Sequence, residues 1–135
     1  MEHASGGCLN DQINRKIVSG GRFSEEQIFS YNAQITLAII VMHAKNILHR
    51  DVKTQNIFIA KNEVLKLGDF GISRALEFKE AKAQTSVGTP LFMPPEVCQG
   101  KEYDNKADVW ALGVILYELI TLKKPFESPT VNGLL

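Results

Sequence analysis

At 135 residues, with 44% hydrophobic and 22% charged side chains, the chain can bury one core and is one domain at most. Its 15 basic and 15 acidic side chains cancel, which leaves no overall basic face and makes nucleic acid a poor partner. Cys8 and Cys98 lie far apart and form no Cys-x-x-Cys pair, the pattern of free thiols in a reducing compartment. The first residues lack the cationic segment and apolar run of a signal peptide. The apolar stretches at 35–42 and 109–122 are too short or too interrupted to span a bilayer. No membrane partner is therefore expected, and the cytoplasm is the expected location.

In chain order, Gly6-Gly7 and Gly20-Gly21 punctuate the first two dozen residues, with a short polar helix between Leu9 and Val18. Ser24-Glu25-Glu26-Gln27 is a capping-box pattern, serine at the N-cap and glutamine at the third helical position, and it opens a helix running to about Met42. Ile28, Tyr31, Ile35, Leu37, Ala38, Ile39 and Met42 make most of that helix's circumference apolar, which predicts burial on more than one side. Ile47-Leu48 and Ile57-Phe58-Ile59 read as strands on either side of a loop. Val64-Leu65-Lys66-Leu67 reads as a third strand, hairpinned to the second through Lys61-Asn62-Glu63. Between Gly71 and Glu96 no period holds, which predicts a long loop with a function of its own. From about Lys106 to Leu122 the chain is hydrophobic nearly all round, as in a helix at a domain's centre. Asp104 or Asn105 can cap it, and Lys123-Lys124 suit its negative end.

The chemistry is concentrated in His49-Arg50-Asp51-Val52-Lys53-Thr54-Gln55-Asn56, in Asp69-Phe70-Gly71 and in Pro95-Glu96. A proton acceptor, a cation and two oxygen ligands for a metal in one stretch form a set for moving a phosphoryl group from a nucleotide. Taken singly, Asp51 would more often be a loop cap and Asp69-Phe70-Gly71 a mere turn. Taken together and in order, they make chance a poor explanation. On these motifs the chain resembles a eukaryotic serine/threonine protein kinase. Lys53-Thr54-Gln55-Asn56-Ile57-Phe58 and Gly68-Asp69-Phe70-Gly71-Ile72-Ser73-Arg74 look most similar to the NIMA-related (Nek) family.

The resemblance implies an α+β, mainly helical, protein-kinase-like fold, here a fragment of the large C-terminal lobe without the small lobe. Residues 1–135 would form a partial kinase domain: a hinge at 1–9, helices with the catalytic loop and strands at 10–70, an activation segment at 71–96, and a central buried helix at 104–124. It also implies ATP and Mg2+ as cofactors and protein serine or threonine hydroxyls as substrate. Asp51 would accept or orient the hydroxyl proton, and Lys53 would set its ammonium against the transferring phosphate. Asn56 and Asp69 would hold magnesium, and Gly71 would free the backbone to turn after Asp69. Backbone groups of Glu2 and Ala4 would grip adenine, and Thr89 would pack against Asp51 and favour Ser/Thr substrates. Arg50 would pair with a phosphate on Thr85 or Ser86, Thr85 being favoured, added by an activating kinase or by trans-autophosphorylation. Asp108 could accept backbone N–H bonds from the catalytic loop. The six-residue spacing of His43 and His49 fits no common metal site, so His49 is expected to be a satisfied structural histidine.

Nothing in the chain matches the glycine-rich loop, the Val-Ala-Ile-Lys lysine or its partner glutamate. On the resemblance, the small lobe would lie upstream of residue 1, with Met1 an internal methionine of a longer chain. Phosphoryl transfer by the chain alone would then be weak or absent, and apolar faces around 35–42 and 109–122 would stay partly uncovered. The alternative is a non-catalytic kinase remnant acting as a binding or regulatory module.

Overall fold

Two long apolar helices packed on each other, the earlier of them also holding a short hairpin, set the architecture, seen in a computed structural model that describes residues 6–68 and 91–127. The first helix, α1 (Leu9–Ser19), starts where Asp11 Oδ2 accepts the backbone N–H of Cys8 at 3.1 Å. It ends at Gly20, whose φ of 68° turns the chain left-handed at no Cβ cost. Only Leu9 and Ile13 of α1 are buried, in keeping with a polar helix that lays one narrow stripe on the core.

The capping box opens α2 (Glu25–His43) as its residues predict. Gln27 N–H donates to Ser24 Oγ at 3.1 Å, and Ser24 N–H donates to Gln27 Oε1 at 3.4 Å. Tyr31, Ile35, Ile39 and Met42 recur at helical spacing and form the buried stripe of α2. Burial on more than one side is not found: among the described residues, Phe29 and Leu37 are 76% and 61% exposed, and Ile40 and Val41 are exposed beside them. The apolar circumference predicted around 35–42 is therefore half core and half uncovered surface.

A single 3-10 turn (Thr54–Asn56) leads into β1 (Ile57–Ile59), which pairs antiparallel with β2 (Leu65–Leu67) in the register Ile57↔Leu67, Phe58↔Lys66 and Ile59↔Leu65. The hairpin turns at Asn62 and Glu63, both at positive φ. α2 holds the hairpin through Gln34, whose Oε1 accepts from Leu65 N at 2.9 Å and whose Nε2 donates to the Glu63 carbonyl at 3.2 Å. On the other side of β1, Gly6 N–H donates to the Ile59 carbonyl at 3.0 Å, and Ile59 N–H donates to the Gly7 carbonyl at 2.9 Å. Ile47-Leu48, predicted as a strand, has no strand partner among the described residues. Ile47 N–H instead folds back onto the Met42 carbonyl at 3.0 Å, closing the end of α2.

Pro95 starts the short α3 (Pro95–Cys98), and Asp104 caps α4 (Asn105–Thr121), its Oδ1 accepting from Lys106 N at 2.8 Å and Ala107 N at 3.3 Å. α4 packs against α2, burying Ala107, Asp108, Ala111, Val114, Ile115, Glu118 and Leu119. Its outer face, with Val109, Tyr117 and Ile120, is exposed. Trp110 stacks on Phe126, ring centroids 5.7 Å apart and nearly parallel at 6°, folding the following turn back on the helix. The core is one cluster drawn from α1, Phe23, α2, Val52, β1 and α4. No helix among the described residues is long and apolar enough to cross a membrane.

Candidate active site

The loop between Leu48 and Asn56 has no strand or helix to satisfy its first amides; a buried carboxylate does so instead. Asp108, 0% exposed in the first turn of α4, accepts His49 N–H on Oδ2 and Arg50 N–H on Oδ1, each at 3.1 Å. His43 Nε2, at the end of α2, meets Oδ2 at 2.8 Å, and the Tyr103 hydroxyl donates to Oδ1 at 2.7 Å. Burial alone would raise the Asp108 pKa, but these four hydrogen bonds outweigh it and hold the carboxyl below its ordinary range. The loop is thus pinned to the central helix, as expected of Asp108.

Pinned this way, the backbone turns left-handed at Arg50, with φ of 67°. His49 is buried beneath the turn, its Nδ1 accepting the N–H of Asp51 at 3.2 Å. That bond assigns the ring proton to Nε2, which donates to the Gly68 carbonyl at 3.2 Å. His49 is a satisfied structural histidine, and its ring joins the loop to the end of β2. Among the described residues, no three His, Cys, Asp or Glu side chains gather to hold a metal ion.

Past the turn, three of the sequence-predicted residues meet. Asn56 Nδ2 donates to Asp51 Oδ2 at 2.6 Å and to the Asp51 carbonyl at 2.9 Å. Lys53 Nζ lies 3.3 Å from Asp51 Oδ1. Gly68 closes the group: its N–H donates to the Asn56 carbonyl at 2.6 Å. A Cβ at Gly68 would sit 2.7 Å from Phe58 Cε2 and 2.9 Å from the Asn56 carbonyl, so only glycine lets the strand approach. Gly68 immediately precedes Asp69 in sequence. Arg50 is exposed, and Glu96 is half-buried in α3. Asp69, Glu2, Ala4, Thr85, Ser86 and Thr89 lie outside the described residues.

The amide oxygen of Asn56 is a hard ligand atom, a chemistry that fits magnesium rather than a thiophilic metal. With Asp51 and Lys53 beside it, the cluster combines an acceptor, a cation and an amide on one partly buried loop. That is the equipment for positioning a phosphoryl group and a hydroxyl.

Two contributors carried no signal in the motif reading. Tyr103 is a single aromatic in the polar run Gly100-Lys101-Glu102-Tyr103-Asp104-Asn105, and that isolation was the available clue. Glu118 lies 4% exposed on α4, with Oε1 unpartnered among the described residues. Burial pushes its pKa up, opposed by Lys124 and by the Thr54 hydroxyl. A carboxyl raised on folding binds its proton more tightly in the folded state, so it subtracts stability as pH rises from the unfolded value through the raised one. Glu118→Gln is therefore expected to stabilise the chain at pH 7.5, the gap closing as pH falls toward the ordinary glutamate range. Melting temperatures of both proteins across that range check it; equal values at pH 7.5 would contradict it.

Comparison with known proteins agrees with this geometry. The family model for the protein kinase domain matches residues 1–134. The chain is 50% identical to the serine/threonine-protein kinase Nek5 of Homo sapiens over 135 residues, which is 99% of this chain and 19% of that protein. It is 48% identical to Nek8 of Danio rerio, again over 99% of this chain and 19% of the relative. With Nek1 of Mus musculus the identity is 46%, over 99% of this chain and 11% of the relative. The chain spans about a fifth or less of the length of these relatives. With a pinned loop that gathers Asp51, Lys53 and Asn56, and a kinase-domain match running almost end to end, the chain belongs to the protein kinase domain family and is Nek-like in sequence.

Proposed function

We propose that this chain carries the phosphoryl-transfer centre of a serine/threonine protein kinase, moving the γ-phosphate of ATP to Ser/Thr hydroxyls of protein substrates. The observation that carries this is the Asp51 carboxylate, held by Asn56 at 2.6 Å with Lys53 at 3.3 Å, on a loop anchored to Asp108. Asp51 accepts or orients the hydroxyl proton, and Lys53 leans toward the transferring phosphate. With its Nδ2 engaged by Asp51, Asn56 has its amide oxygen left for magnesium, and Asp69 supplies the second metal ligand. The chemistry that magnesium supplies when bound is neutralisation of charge on the phosphate oxygens. Glu2 and Ala4 hold adenine, and Thr89 favours hydroxyls of serine and threonine. Arg50, exposed at the turn, receives a phosphate on Thr85 or Ser86 from an activating kinase or a second copy. The chain is part of the large lobe of a kinase domain, working in the cytoplasm.

The uncovered apolar faces of α2 and α4 favour a second reading, a remnant that docks a partner rather than turning over. Nucleotide separates the two. Saturating ATP is expected to raise the melting temperature only with magnesium present, and whatever labelled phosphate the chain transfers, weakly on its own, should reach Ser/Thr peptides but not tyrosine peptides. A flat thermal response would favour the docking module.

A further inference from the structure

Asp108 Oδ1 serves two donors from different stretches of chain, Arg50 N–H at 3.1 Å and the Tyr103 hydroxyl at 2.7 Å. Oδ2 serves His49 N–H and His43. Four donors match the carboxylate's acceptor sites, so each fixes the plane in which the others bond. The least comfortable of them is Arg50, a non-glycine residue at φ of 67°, a conformation held only while its surroundings over-determine it. Its successor is Asp51.

We infer that the Tyr103 hydroxyl is a positioning group for the catalytic loop, locking Asp108 Oδ1 against Arg50 N–H and so fixing the left-handed turn that aims Asp51. Its importance for turnover rests on the kinase role proposed for Asp51; its hold on Arg50 does not. Burial and the Asp108 carboxylate keep the phenol protonated far above its ordinary range, so it donates throughout the pH range in which the chain works. Without it, Oδ1 keeps one donor, and the carboxylate can swing out of the plane that Arg50 needs. The competing role is local, a brace for the start of α4, where Asp104 already caps Lys106 and Ala107.

Tyr103→Phe keeps the ring and removes one oxygen, which makes it the test in the full chain. Amide hydrogen exchange is expected to quicken about tenfold at Arg50, with Lys106, Ala107 and the β1–β2 hairpin unchanged. The turnover number is expected to fall roughly five- to tenfold, with the KM for ATP held within about twofold. Unchanged exchange at Arg50, or faster exchange confined to Lys106 and Ala107, would overturn the inference. So would faster exchange at Arg50 with an unaltered turnover number. Where turnover by the unsubstituted chain is too weak to measure, as the want of a glycine-rich loop and its lysine allows, exchange at Arg50 alone decides the role of Tyr103; a flat thermal response to ATP with magnesium would count against the kinase proposal alone.

Discussion

Asp51→Asn is expected to lower phosphoryl transfer by about 10²–10⁴-fold, the usual contribution of a positioned proton acceptor. The substitution keeps an oxygen that can accept from Asn56 Nδ2, so the loop should retain its shape. What it removes is the basic carboxylate and the charge that Lys53 faces at 3.3 Å. The ion pair is partly exposed, so its loss should move the melting temperature by only a few degrees. Label transfer from ATP, measured beside a thermal melt, separates chemistry from folding. Turnover equal to that of the unsubstituted chain would end the assignment of Asp51.

Asp108→Ala should act in the opposite way, through stability first. It strips the partner from two loop amides, from Tyr103 and from His43, all packed around a side chain with no solvent exposure. Leaving such groups unpaired is expected to cost on the order of 3–5 kcal/mol, a large share of a small domain's total stability. Urea denaturation should show the midpoint falling steeply, or the chain unfolded in buffer. The pH dependence has a definite sign. Because Asp108 is held below its ordinary range, its contribution is complete above the unfolded carboxylate value of about 4 and is lost as pH falls through the lower folded value. The alanine variant should therefore lose less stability than its parent over that acid window. A parallel pH response of the two proteins would contradict the account of Asp108.

Local signals read well where one residue decides a local bond. Ser24 and Gln27 mark the start of α2, Asp104 caps α4, and Lys61-Asn62-Glu63 turns the hairpin. Burial was less legible, because it depends on which faces find a neighbour. The same apolar sequence at 35–42 yields Ile35, Ile39 and Met42 in the core and Leu37, Ile40 and Val41 in solvent. Ile47-Leu48 has strand composition, yet its backbone goes to the end of α2. At the site, motif spacing named Asp51, Lys53 and Asn56, which the fold brings together. The bonds of His43 and Tyr103 to Asp108 escaped that reading: His43 lies 65 residues from the carboxylate, and Tyr103, five residues from it, stands in a polar run with no motif of its own.

That separation has a consequence for the order in which the molecule can be built. Leaving the ribosome N-terminus first, the chain offers His49 and Arg50 long before their anchor exists, since Asp108 follows His49 by 59 residues. The hairpin and α2 can form early from nearby bonds. The turn that aims Asp51 has to wait for the first turn of α4 to emerge. A nascent chain stalled short of Asp108 would therefore hold its helices and its hairpin without the geometry for chemistry.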